Sequence, residues 1–124
     1  MNPYDGIAAL GLPMRARGWE NSHSPALAEN IMRARVVIEV GSFMGASVAW
    51  MAAHNEAARF YCVDTFLGSP EITPEDLDGI GYQHGRLMLL ERFLSNMVAA
   101  EIQDRVAPII QTSTSGAKIL RAQG

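Results

Sequence analysis

The sequence predicts an α/β fold, a parallel sheet flanked by helices, and three observations predict it. Short apolar runs at Val36–Val40, Phe60–Val63 and Val106–Ile110 have the length and composition of strands. The segments between them, Ala46–Ala58 and Leu87–Glu101, carry helical features instead, which is the alternation of βαβ units with right-handed crossovers. Finally, Val36–Val40 runs straight into a turn bearing Gly41 and Gly45, the strand, turn and helix order found at the open end of such sheets.

Taken in order, Met1 to about Glu20 contains Pro3, Gly6, Gly11, Pro13 and Gly18 and predicts a loose N-terminal arm. Ser24-Pro25 supplies a capping hydroxyl and a proline at the first helical position, starting a helix that continues to Arg33. Val36–Val40 is β-branched and apolar apart from Glu39, as expected of a parallel strand covered on both faces. Gly41 and Gly45 permit a sharp turn, and alanine-rich Ala46–Ala58 follows as a helix with Val48, Met51 and Ala52 on one face. The second strand ends at Asp64. Thr65–Gly85 holds two prolines, four glycines and four acidic residues without a sustained period, so it is expected to be one long irregular insertion of the lid or binding-loop kind.

Leu87, Leu90, Leu94, Met97 and Val98 recur at helical spacing through about Glu101. Val106–Ile110 is the third strand, with Pro108 removing one ladder donor. Ser113–Ala122 is expected to be a last helix capped by Ser113 or Thr114. The sum is a Rossmann-like parallel sheet of about three strands with flanking helices, in one domain spanning residues 1–124.

Composition narrows the function classes. Hydrophobic residues make up 48% and charged residues 19% of 124, a globular balance with a modest core. A net charge of -3, with ten basic residues scattered along the chain, offers no basic stripe for nucleic acid. Cys62 is the single cysteine and lies in an apolar run, so a reduced buried thiol is expected. No run approaches the ~20 apolar residues of a membrane span, and Met1-Asn2-Pro3-Tyr4-Asp5 lacks signal-peptide character. A cytoplasmic protein without a membrane partner is the expectation.

Gly41 and Gly45 depart from the G-x-G-x-x-G spacing of a dinucleotide fingerprint, and alone they fit a structural turn as well as a cofactor site. Asp64 adds the second signal. It ends a strand 23 positions after Gly41, near the ~20 at which an acid accepts ribose hydroxyls, pointing to an adenosine-type ligand. Glu39 within an apolar strand needs a partner. Backbone N–H groups of the glycine turn and a cationic ligand are equal candidates. His23, His54 and His84 have no metal-ligand spacing, and His84 beside Tyr82 is at most a substrate-facing guess. Glu71, Glu75, Asp76 and Asp78 are expected on a solvated loop without calcium-loop spacing, and the seven methionines as core filler.

Ile38-Glu39-Val40-Gly41-Ser42-Phe43-Met44-Gly45-Ala46-Ser47, followed by Tyr61-Cys62-Val63-Asp64-Thr65-Phe66, resembles the class I S-adenosylmethionine-dependent methyltransferases, in the branch with an E-x-G-x-x-x-G-x-S first motif. Gly18-Trp19, Gly68-Ser69-Pro70, the helix with Phe93, Leu94 and Asn96, and Ile109–Thr114 extend the resemblance over most of the chain. It implies S-adenosylmethionine as cofactor and a small, unidentified methyl acceptor. By it Glu39 lies near the amino end of the methionine moiety, and Gly41, Ser42, Phe43, Gly45 and Ser47 belong to the cofactor-binding turn and helix start. Asp64 takes the ribose hydroxyls, Thr65 and Phe66 lie beside the adenine, and Thr112 and Ser113 approach its edge. No metal is implied.

The resemblance also implies a fourth strand beside Val36–Val40, whereas the sequence stops at Gly124. The sheet is therefore expected to be truncated and to expose an apolar edge, inviting a homodimer or larger assembly. Two other function classes stand beside the first. One is a non-catalytic nucleotide-binding or assembly module, and the other a dinucleotide-dependent oxidoreductase, which the glycine spacing disfavours.

Overall fold

The computed structural model describes residues 2–9 and 25–124. The expected cap Ser24, the Gly18-Trp19 pair and His23 lie outside the described residues, as does most of the expected arm. Helix α1 (Pro25–Arg33) leads into strand β1 (Val36–Val40), followed by α2 (Ala46–His54) and β2 (Arg59–Asp64). Next come α3 (Pro74–Ile80), a small hairpin of β3 (Tyr82–Gln83) and β4 (Arg86–Leu87), α4 (Leu89–Ala99), β5 (Val106–Ile110) and α5 (Ser113–Gln123). Strands β1, β2 and β5 form a parallel sheet in that spatial order, with Ile38 opposite Tyr61 and Val63 opposite Ile109. The predicted α/β, Rossmann-like class is what the chain adopts.

The two sheet faces are treated differently. Phe60 and Cys62 point into a core shared with Val48 and Met51 of α2 and Phe93 and Met97 of α4, all nearly or fully inaccessible to water. Among the described residues, the other face carries only α5. A Cβ at Gly116 would sit 2.7 Å from Val63 Cγ1, so this helix rides close over β2 and β5 and leaves β1 uncovered. Val36, Ile38 and Val40, which project to that side, are 55%, 55% and 63% exposed. The expectation of a first strand covered on both faces is thereby corrected. β1 is an edge strand among the described residues, and period-2 alternation leaves half its side chains in water.

Three further corrections have local causes. Helix α2 stops at His54 instead of Ala58 because Asn55 provides a better set of bonds than another turn would. Its Oδ1 accepts from the N–H of Ala57 and Ala58, and its Nδ2 donates to the carbonyls of Ile31 and Ala34. The Thr65–Gly85 insertion is not irregular throughout. Thr73 caps α3 reciprocally with Asp76, Pro74 occupies the first turn, and the hairpin β3–β4 follows. Glu75, Asp76 and Asp78 are therefore helical residues, not loop residues. Helix α5 is capped by Thr112, whose hydroxyl accepts from Ser115 N–H at 3.2 Å, and not by Ser113 or Thr114.

Pro108 sits in the register of β5 opposite Cys62, on a strand with no neighbour beyond it among the described residues, where a missing donor costs least. Residues 2–9 are tied across the core. The Tyr4 hydroxyl donates to the Val106 carbonyl at 2.7 Å, and Ser95 Oγ to the Ala8 carbonyl at 2.6 Å. Among the described residues no helix is long and apolar enough to cross a membrane.

Candidate functional site at the carboxyl end of the sheet

The turn between β1 and α2 is built around three left-handed residues, Gly41 (φ 84°), Phe43 (φ 51°) and Gly45 (φ 90°). Gly45 is doubly constrained, since a Cβ there would overlap Met97 Cε and lie 3.2 Å from Phe93 Cδ2. α4 thus presses directly on the turn. Asn96, fully buried on the same helix, donates to the Met44 carbonyl at 2.9 Å and fixes the turn from below.

Asp64 holds the turn from the side. One carboxylate oxygen accepts from Phe43 N–H and the other from Phe66 N–H, each at 2.9 Å. Phe66 is also left-handed, at φ 56°. A bulky residue at positive φ costs of order 1–3 kcal/mol, and charge-assisted hydrogen bonds to a carboxylate contribute a comparable amount, so one side chain stabilises two strained positions. Each Asp64 oxygen keeps a second acceptor site for a ligand hydroxyl.

Glu39 lies on β1 ahead of the turn and does not line the cleft above the sheet. Its carboxylate interacts with the hydroxyls of Ser42 and Ser47, with Cys62 opposite it in the sheet register. Burial pushes Glu39 above the ordinary carboxylate range. The two serine hydroxyls pull against this and the charge of Asp64 adds to it. Glu39 Oε1 and Ser42 Oγ are buried without a hydrogen-bond partner, so Ser42 acts on the carboxylate by proximity, without hydrogen-bond geometry. Burial, with Glu39 adding, pushes the Cys62 thiol up to about 12, and the thiol is free.

Above the sheet lies a cleft of about 280 Å³, near the lower end of the ~300–1,000 Å³ common for ligand pockets. Gly41, Phe43 and Asp64 form its sheet side. The opposite wall comes from the insertion, with Gly68, Ser69, Glu71 and Ile72 leading into Thr73 and Asp76 of the α3 cap, and Leu89 completes it. Among the described residues, three carboxylates and no lysine, arginine or histidine line this space. A hydrogen bond with Ser69 holds Glu71 below the usual carboxylate range, keeping it ionised.

Of the residues singled out from sequence, the cleft therefore gathers Gly41, Phe43 and Asp64. Ser42 and Gly45 lie buried in the turn that shapes it, while Glu39 on β1 and Ser47 in the first turn of α2 are not among its lining residues. Thr65 accepts from Leu67 N–H at 3.3 Å, and Phe66 is buried in a tilted pair with Phe93, so neither is among the residues lining the cleft. Thr112 caps α5, and Ser113 lines an apolar groove with Ile38, Val40 and Val63 on the other face of the sheet. The residues missed are those of the opposite wall. Thr73-Pro74-Glu75-Asp76 is the same kind of helix-start signal as Ser24-Pro25 and was the available clue. His84 is exposed in the β3–β4 turn, and among the described residues no group of three or more His, Cys, Asp or Glu is placed to hold a metal.

The fold and cleft define an α/β protein with a ligand-sized site at the carboxyl edge of a parallel sheet. No family model matches the chain, and no curated protein matches it.

Proposed function

We propose that this chain is an S-adenosylmethionine-binding domain of the class I methyltransferase type, serving methyl transfer to a small acceptor. The observation that carries the reading is the charge of the cleft. A site at the end of β1 and β2 with an acid positioned for ribose suits an adenosine ligand, and three lining carboxylates disfavour phosphates. S-adenosylmethionine combines an adenosine with a positive sulfonium and lacks phosphate. NAD, FAD and nucleotides carry the wrong sign.

The cofactor supplies an electrophilic methyl group. The residues of this chain bind and orient. The free acceptor sites on Asp64 suit the ribose hydroxyls, the Gly41 backbone permits close approach, and Glu71 and Asp76 favour positive charge. In such a site the gain is chiefly proximity between nucleophile and methyl carbon. The runner-up is a non-catalytic nucleotide-binding or assembly module, which the same cleft supports except for its acidic lining.

The exposed side chains of β1 support self-association. A second copy of the chain, pairing along this edge and covering Val36, Ile38 and Val40, is the proposed partner. The reading as a whole is tested by calorimetric titration with S-adenosylmethionine, S-adenosylhomocysteine and NAD. Binding of the first two and not of NAD is expected. Binding of NAD alone, or of none by a folded chain, overturns it.

A further inference from the structure

We infer that the pocket between the β3–β4 hairpin and the start of α4 is a second binding site, one that takes a small organic monocarboxylate with an apolar body. It holds about 380 Å³, within the ~300–1,000 Å³ common for ligand pockets, and shares no lining residue with the cleft above the sheet, so its assignment does not depend on the cofactor. Residues 80–83 form one wall, and Met88, Glu91 and Arg92 form the other. Local structure fixes both. Gly81 ends α3 at φ 91°, a conformation that favours glycine, and its carbonyl accepts from Met88 N–H at 3.0 Å, which brings the start of α4 against the end of α3. Ile80, only 1% exposed, anchors the same corner in the core.

Arg92 supplies the recognition. Its Nε donates to the Ile80 carbonyl at 2.7 Å, and a Cβ on Gly81 would lie 4.0 Å from its Nη2, so the guanidinium is held against the hairpin wall. Among the described residues no acceptor meets Nη1 or Nη2, and both ion pairs involve other arginines. That leaves a planar pair of donors with a permanent charge, ordered before any ligand arrives, which matches the two oxygens of a carboxylate. The other charge lining the pocket, Glu91, is paired with Arg86, so the surplus is one positive charge. A monoanion balances it, whereas the second charge of a phosphate would meet the Glu91 carboxylate. The rest of the lining suits an apolar body. Ile80, Met88 and the ring of Tyr82 provide apolar surface, and Tyr82 is 69% exposed, so a ligand laid against its ring removes area from water. The Gln83 amide adds a neutral donor and acceptor.

The test is amide NMR of the full chain, titrated near neutral pH with benzoate, with benzamide as its uncharged analogue, and with inorganic phosphate. Benzoate is expected to shift the amides of Gly81, Gln83, Met88 and Arg92 and the Arg92 Nε–H signal together, with a dissociation constant on the order of 1 mM, and to leave Gly41 and Phe43 unmoved. Benzamide should bind more weakly by about tenfold or more, and phosphate should not saturate those signals. Arg92→Lys keeps the charge and gives up the fork, and should weaken benzoate by about tenfold. Tyr82→Ala, at an exposed position, should weaken it severalfold. Benzamide binding as tightly as benzoate to the wild-type chain, a comparison that needs no variant, overturns carboxylate recognition. Undiminished benzoate binding by folded Arg92→Lys overturns the role of the fork. Phosphate binding as tightly as benzoate overturns the choice of a monocarboxylate, and a folded chain whose Gly81 and Arg92 signals stay fixed at tens of millimolar benzoate overturns the site.

Discussion

Gly45→Ala tests whether α4 and the β1–α2 turn form one packed unit. The perturbation has two parts. A residue with a Cβ at φ 90° pays a conformational penalty of roughly 1–2 kcal/mol. The new methyl also collides with Met97 Cε and lies 3.2 Å from Phe93 Cδ2, and overpacking of this kind costs about 1–3 kcal/mol. Met97 has a flexible end and can swing aside. Phe93 cannot, because its ring is fully buried against Phe66 at a centroid distance of 5.1 Å. A loss of about 2–4 kcal/mol is therefore expected, or a fall in Tm on the order of 10 °C for a chain of this length. Gly41→Ala is the control. It shares the positive φ but a Cβ there meets nothing within 4 Å, so it should lose only about 1–2 kcal/mol. Urea unfolding of both variants separates the two contributions. Equal losses would refute the packing argument and leave only backbone strain.

Four other outcomes follow from the same geometry. Asp64→Asn removes the charge from the acceptor of two N–H groups, so it should lower stability by about 1–2 kcal/mol and weaken S-adenosylmethionine binding more than tenfold, read by unfolding and calorimetry together. Ile38→Lys should change monomer stability by less than about 0.5 kcal/mol while abolishing self-association in light scattering. Wild-type chain that is already monomeric at tens of micromolar, a typical working range, refutes that pairing. Cys62, buried with its thiol pushed up to about 12, should resist a thiol reagent at pH 8 in the native state and react fast once unfolded. For Glu39, burial raises the folded value above the unfolded one, so the stabilising contribution of its protonated form is present in acid and lost as pH rises through the folded value. Glu39→Gln should accordingly gain stability relative to wild type as pH increases from about 4 toward neutrality, measured as urea midpoints across pH.

The parts of this fold visible in sequence were those with a strong period or a strong local signal. α4 and strands β2 and β5 carry apolar runs that are largely buried, β1 is legible by its β-branched composition although three of its side chains are exposed, and α1 by the Ser24-Pro25 start signal. α3 has only Ile80 buried in seven residues, so it leaves no hydrophobic period, and its existence rests on the Thr73–Asp76 cap alone. The end of α2 turns on one side chain, Asn55, whose four bonds reach residues on either side of β1 and cannot be counted from a run of alanines. The edge position of β1 agrees with the expected exposed apolar edge, but that expectation came from the family resemblance and not from the strand's own residues. An apolar strand looks the same in sequence whether its second face is covered or bare.

The candidate site shows the same division between residue type and residue role. An acid at the end of β2 and a glycine turn after β1 are readable as a ligand site, but in sequence the turn's N–H groups and a cationic ligand are equal candidates as partners of Glu39. It is Asp64 that accepts from the Phe43 N–H of the turn, and Glu39 Oε1 is buried without a hydrogen-bond partner. The exchange has a consequence for function. Because Asp64 is already held by Phe43 and Phe66, it presents its remaining acceptor positions at a fixed place, and a ligand need not spend binding energy ordering it. The same two bonds couple the cleft to both loops, β1–α2 and β2–α3, so displacement of either loop must move the acid. A ligand that satisfies Asp64 should therefore protect the amides of Phe43 and Phe66 together from hydrogen exchange. Protection of one without the other would show that the carboxylate does not act as the shared anchor.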